Sequence, residues 1–210
     1  SRMRYAVAIL SAGFTGLLSF SLLAVAIGTD YWYIINVNNH TGADDLSSHS
    51  GLWRIVEVSG ANQSLVIPSF MANMSSLSEA ERHLLGLHRV VVIMLPLSLV
   101  LLVFGWIFGF VSSLVSAPRM LVGSASYLLF CSLITLTGLL VYIQYCSQAM
   151  EDFRQTVPPE KLATVDVSYG WSLAVAWLSY SLEVASGLLL MLAARITQTK
   201  RRYDSGMAML

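Results

Sequence analysis

Four long apolar runs decide what this chain can fold into: residues 6–28, 90–115, 120–145 and 169–194. Each is at least as long as the roughly 20 residues a helix needs to cross a hydrocarbon core. The first three contain no formal charge, and the fourth contains only Glu183. Lipid offers no water to satisfy backbone N–H and C=O groups, so a spanning run of this kind must bond to itself as a helix. Composition agrees. Charged residues make up 11% of the 210 positions and apolar ones 56%, with a mean hydropathy of +0.67. A soluble domain carries roughly a quarter charged residues, so the surroundings of this chain have to be lipid.

Charge placement gives the orientation. Arg2, Arg4, Arg119, Arg195, Lys200, Arg201 and Arg202 fall on one side of the spans with one acid, Asp204. The other side carries ten acids, Asp30, Asp44, Asp45, Glu151 and Asp152 among them, against five bases. Because Lys and Arg concentrate on the cytoplasmic side, both termini and the turn at Pro118-Arg119 are expected in the cytosol. The loops 29–89 and 146–168 are expected outside a plasma membrane crossed four times. Ala24-Val25-Ala26 resembles a signal-peptide cleavage site, but the run before it is longer than the usual 7–15 apolar residues. Ser at position 1 in place of Met reads as a trimmed or tag-derived start. The net charge is zero, so no basic field argues for nucleic acid.

Three Asn-x-Ser/Thr sequons, at Asn39, Asn62 and Asn73, all lie in loop 29–89. Their confinement to the loop that charge bias puts outside makes all three candidate glycosylation sites. In the same loop, 31–37 and 52–58 are rich in aromatic and β-branched residues and read as strands of a small extracellular antiparallel sheet. Trp32 and Trp53 have amphipathic rings suited to the membrane interface, and Trp53 reads as an anchor for that sheet more readily than as a partner contact. Ser78 and Glu81 have capping-box spacing and predict a short helix running towards or into the second span.

The loop also carries a signature. Trp32 follows the first span, and Gly51-Leu52-Trp53 follows about twenty residues later. A Trp followed by Gly-Leu-Trp between the first two of four spans resembles the superfamily of claudins, peripheral myelin protein and calcium-channel γ subunits. Arg89, at the mouth of the second span, matches an arginine that claudins have there. Tyr169-Gly170-Trp171-Ser172 looks more like the γ-subunit branch. The resemblance implies a single claudin-like domain over 1–210. It departs at one point: the superfamily has a cysteine three residues after the second Trp and another further on, whereas this chain has Val56 there and no loop cysteine. A disulfide of ~2–4 kcal/mol is therefore missing from a loop that resembles stapled ones.

The two cysteines, Cys131 and Cys146, sit fifteen residues apart at the third span, about 22 Å along one helix. They cannot pair within the chain. They read as small hydrophobes, with Cys146 close enough to the outer boundary to suggest a bridge to another molecule as the alternative. Gly105 and Gly109 form a GxxxG that lets two helix backbones approach, here more for internal packing than for a dimer seam. Pro96 should bend the second helix. Glu183 falls near the bilayer midplane, where an acid costs ~2.5–3.5 kcal/mol on insertion scales. It should face the bundle interior, protonated or hydrogen-bonded, with Ser11, Thr15, Ser19, Thr135 and Thr137 as candidate partners. With no second intramembrane charge, it reads as structural or as a partner contact, not as a proton relay.

No phosphate-binding glycine loop, paired catalytic carboxylates or nucleophile elbow occurs. His83 and His88 are five apart, which does not bring both to one helix face. No catalytic residue, metal, cofactor or small-molecule substrate is expected. The last residues, Ala208-Met209-Leu210, fit only the weaker apolar class of PDZ ligand and read as disordered, while Lys200-Arg201-Arg202 should hold the helix end at anionic headgroups. The expectation is an all-α membrane protein: a four-transmembrane-helix up-down bundle with a small extracellular antiparallel β-sheet. It would act through contacts with membrane lipid and other membrane proteins. Adhesion or scaffolding leads, and an auxiliary subunit that modulates a channel or receptor is the alternative.

Overall fold

A computed structural model describes residues 2–29, 31–37, 46–51, 54–59, 61–66, 79–156 and 165–208. The four apolar runs form four helices: α1 (Arg2–Gly28), α2 (Glu79–Val115), α3 (Pro118–Thr156) and α4 (Trp171–Ala208). All four are long and apolar enough to cross a membrane. Among the described residues five short strands accompany them: β1 (Tyr33–Val37), β2 (Leu46–Ser50), β3 (Arg54–Ser59), β4 (Ala61–Val66) and β5 (Val165–Tyr169). They form one antiparallel sheet in the order β4-β3-β2-β1-β5. The chain is thus a four-helix membrane protein with a small antiparallel sheet.

The helices outrun the apolar runs. α2, α3 and α4 hold 37, 39 and 38 residues, against the roughly 20 that hydrocarbon requires. Once a helix is nucleated in lipid, adding a residue beyond the core costs little, and polar segments are carried along. The short helix expected ahead of the second span is therefore the first part of α2 itself. Its proposed cap residue Ser78 lies outside the described residues. α4 runs on to Ala208, and Met209 and Leu210 of the terminal segment read as disordered lie outside the described residues. Tyr169, taken as the start of the fourth span, closes β5 instead.

Sequence propensity found parts of two of the five strands. β1 begins at Tyr33 and not at residue 31, because the carbonyls of Tyr31 and Trp32 accept from the N–H groups of Ser172 and Gly170. β3 begins at Arg54, and residues 52–53 lie outside the described residues. The Ser- and Asn-bearing segments of β2 and β4 carry weak β propensity, yet strand pairing overrides propensity where a neighbouring ladder is available. β5 instead alternates Val165, Val167 and Tyr169 with polar residues, and was overlooked because it falls at the edge of the fourth apolar run.

The chain divides into two compact units, one of Ser1–Leu23, Leu97–Leu136 and Leu178–Leu210, the other of Ala24–Pro96 and Thr137–Trp177. In the first unit the Tyr5 hydroxyl donates to the Ser113 carbonyl at 3.0 Å and lies 3.4 Å from Ser116 Oγ, while an Arg201 guanidinium nitrogen lies 3.5 Å from the Ser116 carbonyl. The start of α1, the end of α2 and the cytosol-assigned part of α4 therefore meet one turn, so the helices run up and down in alternation. That turn is tight. Ser116 takes a left-handed φ of 55°, its N–H reaches back to the Ser112 carbonyl at 3.0 Å, and Pro118 opens α3 where its missing N–H costs nothing. The core of this unit is small and aliphatic, with Ala12, Leu102, Leu121, Ala125, Leu128, Leu190 and Ala194 buried together.

The sheet register bears on the missing disulfide. Val56 on β3 lies opposite Ser64 on β4, so Val56→Cys with Ser64→Cys is expected to close a cross-strand bridge. For a loop of this length the chain-entropy gain is about 2–3 kcal/mol, less any strain. Mass mapping should find the bond, and the thermal midpoint in detergent should fall when reductant is added. If this pair stays reduced under oxidising conditions while Val56→Cys with Gln63→Cys closes, the register is wrong.

Candidate functional site

The second unit holds the joint where strands meet helix ends, and the Tyr169-Gly170-Trp171-Ser172 motif builds most of it. Tyr169 packs edge-on against Tyr33, with ring centroids 5.6 Å apart, and Trp171 stacks on Tyr31 at 5.6 Å. The Gly170 N–H donates to the Trp32 carbonyl at 2.9 Å, and the Ser172 N–H to the Tyr31 carbonyl at 3.2 Å. Ser172 and Thr29 share a hydroxyl–hydroxyl bond of 2.6 Å. Gly170 admits no side chain, since a Cβ there would lie 1.6 Å from the Tyr31 carbonyl oxygen.

Trp32 completes the joint and corrects its expected role. It is fully buried, so its ring packs against protein and not against lipid headgroups. Its indole N–H donates to the Ala26 carbonyl at 2.7 Å, satisfying one of the carbonyls left open at the end of α1. Its ring meets Tyr142 edge-on at 5.0 Å. Burying an indole is favourable only when its N–H finds an acceptor, and a helix end supplies one.

Glu183 belongs to the first unit and has no exposed surface. Of the five hydroxyls named as its partners, Thr135 reaches it, with Thr135 Oγ1 3.1 Å from Glu183 Oε2. Thr135 is in turn hydrogen-bonded to Ser98 of α2, and its hydroxyl also lies 3.2 Å from the Cys131 carbonyl. Three helices thus meet at one row of oxygens. A threonine hydroxyl has one proton to give, and it faces two acceptors here. That proton goes to Glu183 Oε2 across the helices or back to the Cys131 carbonyl within α3. Glu183 Oε1 is buried with no partner, an acceptable cost of about 1–3 kcal/mol for a neutral oxygen and a much larger one for a charged oxygen.

Of the other candidate hydroxyls, those of Ser19 and Thr15 are engaged elsewhere. Ser19 and Ser179 exchange bonds, each hydroxyl donating to the other's carbonyl at 2.7 Å. Ser186 donates to the Ala12 carbonyl at 2.8 Å. Thr15 turns back on its own helix, to the carbonyls of Ser11 and Ala12 at 2.9 and 3.0 Å, while Thr137 is exposed. These bonds fasten α1 to α4 on either side of Glu183. Ser98 was missed by sequence reasoning, although it is the single hydroxyl between Arg89 and Ser112, an isolation that sets it apart.

Gly105 lies against Leu128 and Tyr127 of α3, and Gly109 against Leu190 of α4. Arg89 is half-buried ten residues into α2, and Gly51 is buried. Cys146 is 5% exposed, which corrects the suggested bridge to another molecule, because a thiol shielded by its own helices does not meet another chain. Asn62 lies on β4 opposite Val58. Asn39, Asn73, Leu52 and Trp53 lie outside the described residues. Among the described residues, no group of three or more His, Cys, Asp or Glu is placed to hold a metal.

Residues 17–192 match the family described as PMP-22/EMP/MP20/Claudin tight junction. The chain is 29% identical over 202 residues to the voltage-dependent calcium channel gamma-5 subunit of Mus musculus, a match covering 89% of this chain and 69% of that protein. It is 28% identical to the gamma-5 subunit of Homo sapiens over the same shares of each. To the human gamma-4 subunit it is 29% identical over 188 residues, 81% of this chain and 56% of that one.

Proposed function

The chain belongs to the PMP-22/EMP/MP20/claudin family, and from that premise we propose that it works without catalysis, as an auxiliary subunit that modulates a channel or receptor of the plasma membrane. It is a claudin-like four-span membrane protein, so the reading concerns what it touches. The observation that carries it is similarity to calcium-channel gamma subunits along 89% of the chain, spans and outer sheet together. The Tyr169–Ser172 motif points the same way, since it fixes the joint that presents the sheet. The internal polar groups around Glu183 are spent on holding the helices together, which leaves lateral and outer-loop contacts as the means of action. Adhesion or scaffolding between membranes is the second reading, favoured by the tight-junction members of the family.

Affinity purification from native membrane separates the two. Recovery of a pore-forming channel subunit, with altered gating when the two are co-expressed, supports the auxiliary role. Recovery of junctional proteins, with clustering of transfected cells, supports adhesion and sinks the first reading.

The orientation, with both termini cytosolic, rests on the Lys and Arg bias. It predicts that at least one of Asn39, Asn62 and Asn73 carries glycan in mammalian cells. N-glycosidase digestion should increase gel mobility, and the triple Asn→Gln variant should show no shift. If the wild-type chain shows none either, the assignment of loop 29–89 to the outside loses its support. A glycan on Asn62 would stand on β4, an edge of the sheet, where its bulk obstructs strand-to-strand pairing. This weighs against adhesion through that edge.

A further inference from the structure

The first unit carries an apolar groove of about 590 Å³ between α1 and α4, with Arg4, Val7 and Ala8 on one side and Leu189, Leu192 and Ile196 on the other. We propose that this groove is a binding site for one anionic phospholipid, its phosphate at the Arg4 guanidinium and an acyl chain laid along α1 and α4. Three observations support this, and none depends on the partner proposed above.

The first is relief. Ala8 is 4% exposed at the floor, while Val7 and Leu192 stand out at 58% and 49%. An alanine between larger neighbours makes a channel, and the lining residues fall on one face of each helix at i, i+3 and i+7 spacing, Arg4, Val7 and Ser11 on α1 and the apolar Leu189, Leu192 and Ile196 on α4. From Arg4 to Ser11 the stripe extends about 10 Å, room for the first part of an acyl chain, and the volume falls within the range of small-molecule sites.

The second is charge. Among the residues lining the groove, Arg4 alone is charged, and it stands at one end. The same end of the unit carries Arg119, Arg195, Lys200, Arg201 and Arg202, so the surrounding field favours an anion over a zwitterion. Anionic lipids concentrate in the cytoplasmic leaflet, the side to which the charge bias assigns these residues.

The third is rigidity. Tyr5, next to Arg4, is fixed by its hydroxyl bonds to Ser113 and Ser116. The first turns of α1 are thereby tied to the end of α2, next to Arg4.

The test uses the purified full chain in detergent, incubated with equal amounts of phosphatidylserine and phosphatidylcholine of the same acyl chains, and read by native mass spectrometry. This readout is independent of cellular orientation and of any protein partner. The first retained lipid should be phosphatidylserine, by about five-fold, the preference expected of one well-placed cation. Arg4→Gln should abolish the preference, whereas Lys200→Gln with Arg201→Gln and Arg202→Gln should weaken it without removing it. Ala8→Trp should fill the groove and reduce retention of either lipid. If Ala8→Trp fails to fold, Ala8→Leu gives the same reading in smaller measure, with thermal midpoints reporting which variants are native. Equal retention of the two lipids, a preference that survives Arg4→Gln, or retention unchanged in a folded Ala8 variant would each overturn the site.

Discussion

Gly170→Ala is expected to unfold the joint between strands and helix ends, lowering stability by about 3–5 kcal/mol. The methyl group would lie 1.6 Å from the Tyr31 carbonyl oxygen and 2.5 Å from its carbonyl carbon. These are backbone atoms, so no side chain can rotate aside, and β1 must move away from the start of α4. That motion breaks the bonds from Gly170 to Trp32 and from Ser172 to Tyr31, worth about 1 kcal/mol each. It also separates the Tyr31–Trp171 and Tyr33–Tyr169 ring pairs, worth roughly 0.5–1.5 kcal/mol each. The measurement is the thermal midpoint in detergent, with retention in the endoplasmic reticulum as the cellular counterpart. Gly86→Ala is the matched control. Its Cβ meets nothing within 4 Å in the same unit, and replacing a helical glycine should stabilise by up to about 1 kcal/mol. If Gly170→Ala unfolds at the wild-type midpoint, the close approach of Tyr31 to Gly170 is absent from the molecule.

Much of this was legible in the sequence, and the physical reason differs from part to part. The spans were readable because lipid imposes one rule on every residue of a run, and no tertiary contact can relax it. Their ends were not, since beyond the hydrocarbon the same helix continues through polar residues such as those after Ala194 and before Val90. Glu183 stood out because charge in a span is costly, and Thr135 was among its named partners. Ser98 escaped notice because a serine is cheap in a helix and gives no signal of which face it occupies. The sheet was half visible. Strands with aromatic and β-branched residues announce themselves, whereas Leu46–Ser50 and Ala61–Val66 are strands through pairing, a long-range fact. Trp32 was recognised as a signature residue but given the wrong surroundings. Composition told of an amphipathic ring, and only the fold shows that the open carbonyl at Ala26 takes its N–H inside.

Glu183→Lys is expected to abolish surface expression, while Glu183→Gln is expected to leave most of it. The site is closed, with no exposed surface on Glu183 and a single partnered oxygen. Gln keeps the length and an oxygen to accept from Thr135. Its amide leaves a donor near the unpartnered Oε1 position, a loss of about 1–3 kcal/mol at worst. Lys brings a fixed cation to the same place with only hydroxyls and carbonyls to receive it, and a charge at the span centre costs ~2.5–3.5 kcal/mol even before packing is considered. Surface biotinylation, with size-exclusion profiles to separate export from folding, distinguishes the two. A second pair of variants isolates the hydrogen bond. Thr135→Val alone strands the carboxyl without its partner, whereas Thr135→Val with Glu183→Leu removes both polar groups and should recover much of the loss, because apolar replacement of both partners is close to neutral. Failure of Glu183→Gln as complete as that of Glu183→Lys would mean that Glu183 is ionised and meets a cation supplied from outside the bundle. In that case the row of oxygens from Ser98 to Glu183 would be part of a binding surface instead of a fastening between helices.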